Sequence, residues 1–241
     1  MAKKTRRVAN KSARRQERKQ ERKDKQETNI YAPVEFNPRT EAQKTALQLI
    51  AEHDMTFLLG AAGSGKTFLA MAYAINQVLT KQVEKIVLTR PIVEAGEKLG
   101  FLPGTFGEKV NPYMQPLYDT MELMLGKQSA KREIINKAVV LAPLCYMRGR
   151  TFNDSICIFD EAQNATYTQL KLFLTRFGQN TKVIVTGDPS QSDLYEHARD
   201  NYCALSEVVE RLDKTPGIGV YEFEPQDVVR HKLVAAILRK L

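Results

Sequence analysis

Apolar residues along this chain gather in short, nearly uniform runs. Met55–Leu59, Ile86–Thr89, 138–142 (AVVLA), 155–159 (SICIF), 182–186 (KVIVT) and 218–223 each read as a strand. Between them, apolar positions recur at helical spacing over 66–80, 113–125, 129–137, 166–177, 194–213 and 225–240, the last opened by Pro225. A helix over 40–53 comes first, with Thr40 as its cap and Ala42, Ala46, Leu47, Leu49 and Ile50 as its stripe. Strands that are apolar on both sides and alternate with helices predict an α/β fold, a parallel sheet with helices on both faces. Residues 29–38 (NIYAPVEFNP) read as a linker with two prolines, and the Gly- and Pro-rich stretch 90–112 as a long functional loop. No internal repeat is visible.

In a sheet of this kind ligands bind beyond the carboxyl ends of the strands. The residues that follow three of the apolar runs carry chemistry suited to that place. After the first comes Gly60-Ala61-Ala62-Gly63-Ser64-Gly65-Lys66-Thr67, which matches the phosphate-binding loop G-x-x-x-x-G-K-[ST] without a mismatch and opens the apolar run Phe68–Ile75. Glycines let backbone N–H groups face a phosphate, and the helix that follows aims its positive end at the same anion. Lys66 is expected on the β- and γ-phosphates and the Thr67 hydroxyl on Mg²⁺. After the run 155–159 come Asp160 and Glu161, read as the residue on the metal and the general base for an attacking water. After the run 182–186 comes Gly187-Asp188-Pro189-Ser190-Gln191, where Gln191 can sense the γ-phosphate. Taken singly, that last segment also reads as an ordinary turn. The guanine-recognition run [NT]-K-x-D is absent, which weighs against GTP.

Composition refines the picture in two ways. First, 43% hydrophobic and 27% charged residues in 241 describe a soluble globular chain, and no run approaches the roughly 18 apolar residues of a membrane span. Its N-terminus has neither an apolar signal segment nor the composition of a transit peptide. Cys145, Cys157 and Cys203 lack C-x-x-C spacing and His53, His197 and His231 are scattered, so reduced thiols, a cytoplasmic location and no zinc site are expected. Second, the net charge of +8 is local. Residues 1–28 hold 12 of the 36 Lys/Arg and 4 of the 28 Asp/Glu, which leaves the rest neutral. Two readings of this arm stand: a solubilising tail, or a grip on nucleic-acid phosphates.

The segments GAAGSGKT, IFDEAQNAT and VTGDPSQSDL, in this order, resemble those of the PhoH-like ATPase family, as do TRP (89–91), RGRTFND (148–154) and DVVRH (227–231). The resemblance spans residues 39–241, after a basic arm (1–28) and the linker, and that family is similar to the first motor domain of superfamily 1 helicases. It implies a RecA-like P-loop NTPase core, ATP as ligand, and action on or near RNA or single-stranded DNA. It further implies Gln43 as an adenine reader, Gln191 as the sensor that couples hydrolysis to movement, and Arg230 as the transition-state cation. Superfamily 1 motors take that arginine from a second RecA domain, for which this sequence has no room. Arg230 is therefore expected to act in its own site, from a neighbouring subunit, or not at all. Action from a neighbour implies a head-to-tail homo-oligomeric ring, a hexamer. Arg90, Arg148 and Arg150 each follow an apolar run and either touch phosphate or nucleic acid or pair with carboxylates. Two function classes follow: a Mg²⁺-dependent ATPase that remodels nucleic acid, or an ATP-dependent binding switch with incidental turnover.

Overall fold

The computed structural model describes residues 30–91, 106–192 and 203–229. Among the described residues six strands form one sheet: β1 (Met55–Gly60), β2 (Lys85–Thr89), β3 (Val139–Leu141), β4 (Ser155–Phe159), β5 (Thr181–Gly187) and β6 (Ile218–Phe223). Their order is β3-β2-β4-β5-β1-β6 and every pair is parallel. Side chains alternate between two apolar layers, as the pleat requires. Leu58, Ile86, Leu88, Ile156, Ile158 and Ile184 point to one face. Phe57, Leu59, Val87, Cys157, Phe159, Val183 and Val185 point to the other.

The first layer is covered by α1 (Glu41–Glu52), α2 (Lys66–Leu79), α3 (Phe106–Leu125) and α4 (Ser129–Ala138), the second by α5 (Tyr167–Leu174) and α6 (Ala204–Leu212). Local chemistry sets the helix starts. Thr40 Oγ1 accepts from the Gln43 N–H, and Thr166 with Gln169 forms a reciprocal capping box for α5. Strand β6 occupies 218–223 as its pattern predicts.

Four boundaries differ from the sequence reading. Of the helix expected over 194–213, α6 begins at Ala204 after an extended Cys203, and residues 193–202 lie outside the described residues. Helix α3 begins at Phe106, inside the stretch read as loop, and contains Pro112 and Pro116. Each proline removes an N–H and disfavours a helix interior. Met114, Leu117, Met121 and Leu125 nevertheless line one face of α3 and are essentially fully buried, and that packing outweighs the local penalty. Helix α5 ends at Leu174, three residues early, because the Thr175 hydroxyl bonds back to Lys171 O and Phe177 leaves to bridge Phe152. Of the long helix expected over 225–240, residues Pro225–Asp227 form a single 3₁₀ turn and 230–241 lie outside the described residues. The arm and most of the stretch 90–105 lie outside them too.

Candidate nucleotide-binding site

Because all strands run the same way, their carboxyl ends share one rim, and strand order decides which segments meet there. Strand β5 lies between β1 and β4, so Thr186 stands between the phosphate loop and Asp160. The loop itself demands glycine. Gly60 has φ +113°, and a Cβ there would sit 2.3 Å from Phe223 O in the neighbouring β6. Gly63 and Gly65 are also left-handed, at φ +91° and +93°. Gly65 is the N-cap of α2, so the free N–H groups of its first turn face the rim.

The Lys66 ammonium, nearly buried, reaches back across this loop. It donates to Gly60 O at 2.5 Å, Ala61 O at 3.0 Å and Ser64 Oγ at 3.4 Å. Thr67, the next residue, donates from Oγ1 to Asp160 Oδ1 at 2.6 Å. Thr186 Oγ1 donates to the same oxygen, also at 2.6 Å. One carboxylate oxygen thus ties together the starts or ends of α2, β4 and β5.

Glu161 adopts a left-handed backbone (φ +53°), which turns its side chain back to the rim. Gln163 Nε2 donates to Glu161 Oε2 at 2.7 Å. Arg90, directly after β2, lies 3.4 Å from Glu161 Oε1 and 3.9 Å from Asp160 Oδ2. Gln163 also joins this rim to the segment after β5, since its Oε1 accepts from the Asp188 N–H and its backbone O accepts from Ser192 Oγ. Asp188 uses Oδ1 to hold Ser190. Among the described residues its buried Oδ2 has no hydrogen-bond partner.

These groups surround a cavity of about 290 Å³ lined by Ala62, Gly63, Gly65, Lys66, Thr67, Asp160, Glu161, Gln191 and their neighbours. The three separated motifs therefore converge on one space. Ser64 is buried beneath the loop, its hydroxyl donating to Ala61 O. Gln43 is buried behind the loop and does not line the cavity. Its amide donates to Ser64 O at 3.0 Å and accepts from the Arg39 N–H at 2.8 Å. Arg230 lies outside the described residues, but its predecessor Val229 donates its N–H to Gly63 O at 3.1 Å.

Of the three arginines left open, Arg90 pairs with carboxylates. Arg148 and Arg150 are exposed and do not line the cavity. Arg150 stacks over Phe152 and lies with Lys85 and Ser155, the first residues of β2 and β4, at the opposite rim. The chain must cross back after β3 to begin another parallel strand, which carries this segment away from the phosphate edge. Sequence reasoning missed Thr186, Gln163, Asp188 and, from α3, the cavity-lining Thr120. A hydroxyl ending the strand of VTGD was a usable signal for Thr186. Thr120, 53 residues beyond Thr67 on a helix, carried none.

A parallel sheet with a glycine-rich phosphate loop, a carboxylate facing that loop's threonine and a third segment closing one cavity defines a P-loop nucleotide-binding protein of RecA-like fold. A solved structure agrees on the fold: the large terminase from a thermophilic bacteriophage superposes with TM-score 0.54 over 85% of this chain and 50% of its own, at 12% identity. Within that class the chain belongs to the PhoH-like protein family, whose model matches residues 35–241. It is 48% identical to the PhoH-like protein of Mycobacterium leprae (strain TN) over 201 residues, 83% of this chain and 57% of the relative. The PhoH-like protein of Bacillus subtilis (strain 168) is 44% identical over 200 residues, covering 83% and 62%. Protein PhoH of Escherichia coli (strain K12) is 43% identical over 198 residues, covering 81% and 55%. The chain thus spans little more than half the length of these relatives.

Proposed function

We propose that this domain binds ATP with Mg²⁺ and hydrolyses it, and that hydrolysis serves action on RNA or single-stranded DNA. The observation that carries the reading is the convergence of Lys66, Thr67, Asp160, Glu161 and Gln191 on one cavity. The backbone N–H groups of 60–67 and the Lys66 ammonium bind the β- and γ-phosphates, the ammonium exchanging loop oxygens for phosphate oxygens. The donor set fits Mg²⁺: a hydroxyl at Thr67, a carboxylate at Asp160, and the buried Asp188 Oδ2, unpartnered among the described residues, on the same cavity, which suits a metal-bound water. When bound, the ion would neutralise charge building on the phosphate oxygens. Glu161 accepts a proton from water as the water oxygen attacks the γ-phosphorus and ADP leaves with the bridging oxygen. Gln191, exposed at the rim, orients that water and reads the loss of the γ-phosphate. Gln43 holds the loop through Ser64 and is the residue assigned to the adenine.

Arg230 supplies the transition-state cation. It acts in its own site or in that of a neighbouring subunit. Action in a neighbour's site would instead require the six-membered ring, which sedimentation with and without ATP would reveal. The nucleic-acid partner rests on the arm, which carries the whole net charge of +8.

The test is steady-state ATPase with and without single-stranded RNA or DNA. Turnover that depends on Mg²⁺, vanishes in Lys66→Ala and rises with a strand is the expected result. Near-normal turnover in Lys66→Ala refutes the site. Turnover that no strand accelerates moves the reading to an ATP-dependent binding switch. Glu161→Gln is expected to retain bound ATP, and rapid hydrolysis by that variant would remove Glu161 as base.

A further inference from the structure

Glu161 stands between donors that follow two different strands, Arg90 after β2 and Gln163 in the 3₁₀ turn after β4. Gln163 holds Oε2 at 2.7 Å and Arg90 approaches Oε1 to 3.4 Å, while the same guanidinium reaches Asp160 Oδ2 at 3.9 Å. Backbone pairing fixes this placement, because the Asp160 N–H donates to Thr89 O at 2.9 Å and so sets the residue after β2 beside the two carboxylates. A carboxylate tethered on both oxygens is not free to turn toward a water at the γ-phosphate. The two tethers differ in strength. The amide bond has ordinary length, whereas 3.4 Å and 3.9 Å exceed the roughly 2.7–2.9 Å of a strong charge-assisted bond. A phosphodiester offers a guanidinium two oxygens in matching geometry, and water reaches the pair, since the Arg90 and Glu161 side chains are 24% and 40% exposed.

We propose that Arg90 is a restraining residue: it holds Glu161 away from the attack position, and a backbone phosphate of a bound single strand draws the guanidinium off and releases the base. The inference rests on the ATPase reading above and adds its regulation. Arg90 acts through Glu161 and is a positioning residue. In the resting site it opposes turnover; in the strand-bound site it reports occupancy.

The experiment compares the full chain with Arg90→Ala, Arg90→Gln and Arg90→Lys, measuring kcat and KM for ATP with and without a single-stranded RNA of about 20 nucleotides. Without RNA, Arg90→Ala and Arg90→Gln are expected to raise kcat about three- to tenfold, toward the RNA-stimulated rate of the parent, with KM changed less than about twofold. RNA should add little to either. Arg90→Lys keeps the cation and should keep the low resting rate. An unchanged resting kcat in a folded Arg90→Gln overturns the proposal. So does a fall of about tenfold or more, which would place Arg90 on the nucleotide phosphates in the transition state. A resting rate that rises while RNA still stimulates as in the parent overturns the release step. Lys66→Ala in the same assay separates the two levels: hydrolysis that survives it sinks the site assignment, whereas a silent Lys66→Ala with no Arg90 effect sinks the restraint alone.

Discussion

Thr186→Val tests the packing of the site most directly. Thr186 is 1% exposed and donates to Asp160 Oδ1 at 2.6 Å, the oxygen that also accepts from Thr67. Valine keeps the shape and removes the donor. Asp160 is itself only 3% exposed, though both residues line the cavity. A hydrogen bond to a charged group contributes about 1.5–3 kcal/mol, which is the loss expected here. For a domain of this size that corresponds to a fall in melting temperature of roughly 3–12 °C. Urea unfolding is the assay: the midpoint should drop with the slope unchanged. Thr186→Ser should recover most of the loss. A double-mutant cycle with Asp160→Asn should show coupling above about 0.5 kcal/mol. The stabilisation conferred by ATP with Mg²⁺ should also shrink, since Asp160 loses one of the two donors that aim it. If Thr186→Val unfolds within about 0.5 kcal/mol of the parent, the shared carboxylate oxygen is not what ties the three segments together.

Gly60→Ala places a Cβ against Phe223 O at a backbone φ of +113°, so a loss of roughly 2–4 kcal/mol is expected in the same melt; a neutral result would mean β6 is not packed against the loop. Burial pushes the Cys157 thiol up to about 11 from an ordinary value near 9. Between those values the unfolded thiol ionises and the folded one stays protonated, so stability falls as pH rises through that window. The parent should therefore lose about 2–3 kcal/mol more than Cys157→Ala between pH 9 and 11, and parallel pH curves would contradict the burial. Exposed Cys145 should react with a thiol reagent at once, and buried Cys157 only on unfolding. Removing residues 1–28 should weaken RNA binding and flatten its dependence on salt; unchanged binding returns the arm to a solubilising role.

Six strands, their parallel direction and the rim that carries the chemistry were legible in the sequence, because strands apolar on both faces can be covered only by helices on both sides. The phosphate loop was legible because its glycines, lysine and threonine are contiguous. Asp160 and Glu161 were legible because they end a strand. Helix α3 was legible over 113–125, but its start at Phe106, ahead of Pro112, was not, since the Gly- and Pro-rich composition of that stretch reads locally as loop.

Sequence alone therefore determined where the phosphate loop and the two carboxylates of the candidate site lie and on which edge of the sheet, for both depend on local pattern and strand direction. Tertiary structure alone decided which of them touch. Placing β5 between β1 and β4 put Thr186 onto Asp160, and the emergence of β2 beside β4 put Arg90 onto Glu161. Strand order is a property of the folded sheet, fixed by how the helices pack across it, and no single stretch of the chain encodes it.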